Sequence, residues 1–481
     1  MADWNIELAL NPGHHEPLFV QLAAALVREI ESGRLRPGQR LPGTRTLATR
    51  LGVHRNTALA AVRELQSQGW VETRPASGTF VARRIAASKS RQRRPRTERL
   101  GFSLPDIAVP PPLPDREPEL VDLSSSTPDP RTIPAALLSR AYRRALVQNP
   151  SLLDYGDPHG SPRLRRALAQ MIADRRGMAI DAEDLLITRG SQMAIWLVAR
   201  SLVTAGDGVA VESFGYPPAW DALRHVGARL LPIPVDREGL DVDRLRRVVD
   251  SHPIKAVYLT PHHQYPTTAT LSAQRRLALL ELARQHGFAV IEDDYDHEFH
   301  YDARPVLPLA RLDQHGVVVY VGTFSKVLAP GARVGYLVAP RPLRERMVRI
   351  RRCVDHQGDH VLESALGELL EDGEIQRHVR KMRRLYGQRR DAALQLLAEL
   401  VPSCRPRPAA GGMAFWCDVE GINVESWRRQ ARRIGLRIRT AQEFAFDRRA
   451  RNQLRLGFAR HDTDELEAAL TRLARCGATT S

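Results

Sequence analysis

The sequence predicts an α/β chain in two parts: a small head of three helices and a β-hairpin, and a much larger unit built on a mostly parallel sheet. Three observations carry this. Helical periodicity gives way to strand alternation within residues 1–82. Short β-branched runs then alternate with helical stretches further along. Between the two lies a basic, proline-rich segment unlike either. A length of 481 residues exceeds one ordinary domain. With 43% hydrophobic and 26% charged residues the composition is that of a folded globular protein.

In the head, Leu18, Leu22, Leu26 and Ile30 recur every four residues and predict a helix closed by Gly33. "TRTLATRLG" predicts a second helix ending at Gly52. "HRNTALAAVRELQSQG" predicts a third, with Ala58, Val62 and Leu65 on one face and Gly69 as its stop. "WVETRPASGTFVARR" alternates apolar and polar residues around a Ser77-Gly78 turn, a hairpin signal. Three helices and a hairpin outline a winged helix-turn-helix.

Residues 83–120 read as a linker. The stretch 83–99 carries eight basic side chains against one acidic, and "LPDIAVPPPLPDREP" follows it. The expected division is therefore head 1–82, linker 83–120 and large unit 121–481. Within the last, "GVAVES", "AVYLTP", "FAVIEDD", "VVVYVGT" and "VGYLVAP" are candidate strands. Polar chemistry in such sheets gathers beyond the strand ends, which here carry Glu212, Thr260, Asp293, Asp294 and Thr323.

The chain has 71 Lys and Arg residues, of which only Lys89, Lys255, Lys326 and Lys381 are lysines. A guanidinium stays protonated, whereas a desolvated lysine can lose its proton and form a Schiff base. Lys326 stands in "VGTFSKVLAPGARVGY", with Thr323 and Ser325 beside it and Arg333 able to hold an anion bidentately. "TRGSQMAIWLVAR" sets Gly190, Ser191 and Gln192 at a helix start, where free N–H groups favour phosphate. An aldehyde, a phosphate and an aromatic ring together describe pyridoxal 5′-phosphate. Its ring nitrogen needs a carboxylate, for which Asp293 in "AVIEDDYDHEF" is the candidate, with Tyr295 as donor to the phenolate oxygen. The same stretch clusters Asp293, Asp294, Asp296, His297, Glu298 and His300 tightly enough for a metal. No other segment offers a partner set, so no metal is expected. Asp294, Asp296 and Glu298 read as caps or ion pairs.

Residues 17–81, with "LPGTRTLA" and "VHRNTA", resemble the DNA-binding domain of GntR-family regulators. The resemblance implies that Arg45 meets phosphate or a base edge. It puts Arg55, Asn56 and Thr57 at the start of the recognition helix, and Gly78 in the wing. Gly43 and His54 stand where that family has serine caps, which predicts weaker caps. "YGDPHGSPRLRRALAQMIADRRG", "TRGSQMAIWL", "FGYPPA", "TPHHQYPTT", "VIEDDYDHEFHY", "YVGTFSKVLAPGARVGY" and "LRLGFA" resemble, in order, the landmarks of fold-type I aminotransferases. More narrowly they resemble the MocR group, which fuses a GntR-type head to such a domain.

That resemblance implies the pyridoxal-phosphate-dependent transferase fold of type I, a large domain plus a smaller C-terminal one. It implies Lys326 as the Schiff-base lysine, Asp293 at the pyridine nitrogen and Tyr295 at the phenolate oxygen. Tyr216 would stack on the ring, and Arg333, Ser325, Ser191 and Gln192 would hold the phosphate, with Thr323 beside them. Arg455 would take an effector carboxylate. Thr268 replaces the glycine of "PTG", and Pro218 stands where some members have an arginine.

A net charge of +16 and pI near 10.4 suit double-stranded operator DNA as a partner, though an arginine-rich composition would give the same charge. No apolar run is long enough to span a bilayer, and residues 1–16 lack the pattern of a signal peptide. Cys353, Cys404, Cys417 and Cys476 form no CxxC pair, which suits reduced thiols in a bacterial cytoplasm. The expected function is a homodimeric transcriptional regulator sensing pyridoxal phosphate, or its adduct with an amino-acid or amine effector, and controlling metabolic genes. The alternative is a working aminotransferase with an accessory head.

Overall fold

The computed structural model describes residues 6, 8–83, 103–104, 120–301, 306–409 and 411–477. The chain divides into two compact units, residues 1–106 and 107–481. The expected linker 83–120, with Lys89, lies almost wholly outside the described residues.

The head has helices Leu18–Glu31, Thr44–Leu51 and Arg55–Ser67, then strands Val71–Arg74 and Gly78–Val81 paired antiparallel. Leu22, Leu26, Ile30, Ala58, Val62 and Leu65 all face one core, closed by Val71 and Val81 of the hairpin. Each large aliphatic buried there contributes about 1.5–3 kcal/mol. Gly52 ends the second helix at φ 64, a left-handed position that glycine takes without strain. At the Gly43 cap no side chain bonds the helix, as its missing hydroxyl predicts. His54 does cap, its Nδ1 accepting from Asn56 N at 3.2 Å, so imidazole replaces serine there. The hairpin turn differs from the Ser77-Gly78 expectation. Ala76 takes the left-handed conformation (φ 59), Ser77 N donates to Arg74 O, and Gly78 already opens the second strand. A third extended segment runs beside the wing, with Leu41 N donating to Thr79 O and Val81 N to Gln39 O.

The large unit is organised by a seven-stranded sheet. Its order is Leu185–Thr188, Gly335–Val338, Val318–Thr323, Ala289–Asp294, Ile254–Leu259, Gly208–Glu212, Arg229–Ile233. Gly335–Val338 runs antiparallel to both neighbours, and the five strands from Val318–Thr323 onward are mutually parallel. Both faces are buried, as continuous apolar runs require. Val209, Val211, Tyr258 and Ile291 pack on helices Gly190–Leu202 and Arg341–Arg352. Ala210, Val257, Leu259 and Val290 pack the other way, on Val242–Ser251 and Ala273–His286. The two outermost strands were absent from the sequence reading. "LLIT" is short, and "RLLPI" is an edge strand carrying a proline, both weak signals.

A smaller antiparallel sheet follows, in the order Cys404–Pro406, Ala414–Val419, Gln453–Gly457, Arg439–Thr440. Helices Glu374–Leu400 and Thr463–Gly477 cover it, with Trp427, Leu454, Leu456 and Leu470 in the shared core. Among the described residues no helix is long and apolar enough to cross a membrane.

Candidate functional site

The candidate residues of the large unit converge where parallel strands end. Asp293 pairs in register with Val321, so Thr323, Ser325 and Lys326 leave the neighbouring strand at the same edge. Asp293 is buried, and its Oδ2 accepts the Tyr258 hydroxyl at 2.7 Å, while Oδ1 has no hydrogen-bond partner. Burial pushes this carboxyl up to about 7; Asp294 and Asp296 add to the rise, against the Tyr258 hydrogen bond and Lys326. A buried, unpartnered carboxylate oxygen calls for a donor, and a protonated pyridine nitrogen is one that fits.

Lys326 lies in the turn after strand Val318–Thr323. Burial, aided by the Arg455 guanidinium, lowers its amine to about 8, against the pull of Asp296 and Asp293. Near neutral pH this lysine therefore carries far more free amine than a solvated one.

Opposite stands the start of helix Gly190–Leu202. Arg333, held at φ 52, donates from Nη2 to the Arg189 carbonyl at 3.0 Å. A Cβ on Gly190 (φ 76) would lie 3.0 Å from that same nitrogen. A Cβ on Gly335 would lie 2.6 Å from Gly190 C and 2.8 Å from Ser191 N. Thr323 Oγ1 donates to Ser325 Oγ at 3.0 Å, and Thr323 is in register with Gly335. A guanidinium, the amide of Ser191 and two hydroxyls thus surround a helix N-terminus, the donor set that suits a phosphate dianion. Gln192 differs from its expected role in its side chain, which donates to the Pro218 carbonyl at 2.7 Å and leaves only its backbone N–H for an anion. Gly335→Ala is expected to destabilise the chain by about 1–3 kcal/mol, since the backbone of the cradle must move. Chemical denaturation at fixed pH measures this.

Tyr216 stands at the N-cap of helix Pro217–His225, its ring edge-on to Tyr265 at 5.5 Å. Burial and the neighbouring Tyr265 raise its hydroxyl to about 12. Tyr295 donates its hydroxyl to the His263 carbonyl at 3.0 Å, so serving a phenolate oxygen would require it to exchange that partner. Arg455 is buried on strand Gln453–Gly457, with Nη1 donating to Pro266 O at 2.5 Å and Cζ 4.6 Å over the Tyr265 ring. Its Nε has no partner. Thr268 sits at φ 63, the conformation a glycine would take freely.

Sequence reasoning missed Tyr258 and Tyr265. Tyr258 pairs with Ile291, which brings its hydroxyl to Asp293 two residues on; only the strand register reveals this. Tyr265 gathers Tyr216, Tyr295, Phe444 and Arg455 around one ring. Asp294 and Glu298 do form ion pairs, both with Arg176, at 3.9 and 2.9 Å.

In the head, Arg55 and Asn56 are exposed at the first turn of helix Arg55–Ser67 and Thr57 is half-buried. Arg45 is exposed on the second helix. Gly78 (φ 110) lies against Arg40, whose Nε would be 2.9 Å from an added Cβ. Replacing Arg45 or Arg55 with Ala is expected to weaken DNA binding by about 1–3 kcal/mol each, as for one phosphate or base contact. Gel-shift titration at fixed salt measures it, and unchanged affinity would remove those residues from the interface.

Residues 18–81 match the family of bacterial regulatory proteins described as gntR. Residues 118–473 match aminotransferase class I and II. The chain is 30% identical to the HTH-type pyridoxine biosynthesis transcriptional regulator PdxR of Corynebacterium glutamicum over 475 residues, 98% of each chain. It is 32% identical to the probable rhizopine catabolism regulatory protein MocR of Rhizobium meliloti, over 81% of this chain and 79% of that one. Among solved structures it resembles the kynurenine aminotransferase of Pyrococcus horikoshii, crystallised in complex with PMP. That match has a TM-score of 0.70 at 30% identity, covering 75% of this chain and 91% of that chain.

Proposed function

The chain belongs to the aminotransferase class I and II family, joined to a gntR-type head as in the MocR-type transcriptional regulators, and we propose that it regulates by sensing pyridoxal phosphate, alone or combined with an amino compound. The observation that carries this reading is the pairing of a depressed lysine with a buried carboxylate oxygen lacking a donor, Lys326 and Asp293 Oδ1. When bound, the cofactor supplies an aldehyde and an electron-withdrawing ring.

Each residue then has a distinct task. Lys326 presents its neutral amine as the covalent anchor. Asp293 holds a proton on the ring nitrogen, steadied through its second oxygen by Tyr258. Arg333, Ser191, Ser325 and Thr323 receive the phosphate, and Tyr216 covers the ring. Arg455, whose Nε has no partner, receives an effector carboxylate. A homodimer would place two heads on two half-sites of operator DNA, and effector binding would act by favouring one of two arrangements.

One test needs no operator. The rate at which Lys326 takes up pyridoxal phosphate is expected to climb with pH and level off above about 8, following its depressed amine. Stopped-flow absorbance measures the profile. A rate still rising steeply past pH 10, as an ordinary lysine gives, would contradict the reading.

Turnover is the second reading, favoured by the likeness to solved aminotransferases. An amino acid and an oxo acid supplied together to the holo chain distinguish the two. Sustained exchange makes it an enzyme, whereas a single spectral shift followed by rest supports a sensor.

A further inference from the structure

Just beyond the Asp293 strand end lies a cluster of four histidines that the proposed function leaves unused. The expectation of no metal rested on the lack of a second segment to join His297 and His300. The fold supplies that segment, bringing His262 and His263 against them, all four buried. One ring nitrogen from each of His262, His263 and His300 lies within 4.8 Å of the others. His262 Nε2 and His300 Nε2 are 2.5 Å apart. His263 Nδ1 contacts Asp296 Oδ1 at 2.8 Å, which fixes the proton on Nδ1 and turns the Nε2 lone pair inward. That Nε2 is buried without a partner, as is His262 Nδ1. Gly411 packs its backbone closely against His263 Nε2, since an added Cβ there would lie 2.7 Å from it. A buried imidazole nitrogen with no hydrogen bond is costly, and for His263 Nε2 a ligated cation is one remedy.

We propose that His262, His263 and His300 form a site for a zinc-class divalent ion, with Asp296 orienting His263 from outside the coordination shell. Three imidazoles suit zinc, whose tetrahedral geometry sets ligand nitrogens about 3.4 Å apart. Small ring rotations would separate the close pair and draw in the third. A second grouping, His262 with Asp294 and His297, is weaker. Asp294 Oδ2 already accepts from Tyr320 at 2.6 Å, meets His297 at 2.9 Å, and lies 3.9 Å from Arg176, so its charge is already matched. An ion on the three histidines would be held by His263, whose carbonyl accepts the Tyr295 hydroxyl. Its occupancy would therefore bear on the cofactor site without taking part in it.

The test is a Co2+ titration of the full chain after chelator dialysis, read by the intense visible absorption of tetrahedral Co2+ and displaced by Zn2+. The expected result is one ion per chain. It persists in Lys326→Ala, is lost in His300→Gln, is retained in His297→Gln and is weakened about 10–100-fold in Asp296→Asn. Thermal melting of each variant checks that it is folded. No uptake by the folded wild type, uptake unchanged in both His300→Gln and Asp296→Asn, or loss in His297→Gln alone would each overturn the proposal.

Discussion

Lys326→Ala is expected to leave a folded chain that no longer develops the visible, borohydride-sensitive band when mixed with pyridoxal phosphate. Among the described residues the lysine is the sole amine of the cluster. It follows a buried strand, and its environment favours the neutral form down to about pH 8. Lys255 and Lys381 are both exposed, so they offer no substitute at this edge. Lys326→Arg is expected to behave as the alanine variant does, because a guanidinium cannot form the imine. A band that survives in both would move the covalent anchor elsewhere.

Asp293→Ala carries the second large effect. Removing the carboxylate takes away the acceptor for the ring nitrogen and strands the Tyr258 hydroxyl, which donates to it at 2.7 Å within the core. A hydrogen bond to a charged group contributes about 1.5–3 kcal/mol, so cofactor affinity is expected to fall about 10–150-fold. Asp293→Asn keeps the shape but not the charge and is expected to lie between. Equilibrium dialysis against pyridoxal phosphate separates the three proteins. Equal affinity for wild type and alanine variant would remove Asp293 from the cofactor site.

The legible parts of the molecule were those written in local pattern. Leucines at every fourth position and glycines at helix ends gave the three head helices to within a residue or two, because both signals act within a single turn. The five central strands were readable as unbroken apolar runs, since a strand covered on both faces has no polar side to show. Lys326 was readable because its chemistry excludes arginine in a chain that otherwise prefers it. What escaped was set by register and by distance in sequence. Tyr258 reaches Asp293 only because two parallel strands align Ile291 with Tyr258. His262 and His263 join His297 and His300 only because strands Ile254–Leu259 and Ala289–Asp294 are neighbours ending at one edge. The side-chain bond of Gln192 to the Pro218 carbonyl likewise depends on a loop contact that no spacing encodes. The hairpin turn fell on Ala76 because a two-residue Ser-Gly turn and a longer turn leave the same flanking alternation.

The proposed coupling runs from Lys326 in the aminotransferase-like unit to the head. Its most direct test is affinity for a duplex selected from random sequence by the purified chain, measured at fixed salt with and without pyridoxal phosphate, for wild type and Lys326→Ala. The cofactor is expected to change the affinity or the bend of the DNA bound by the wild type and to leave the variant unmoved. Identical binding by both proteins in both conditions, with the wild type demonstrably loaded, would contradict it.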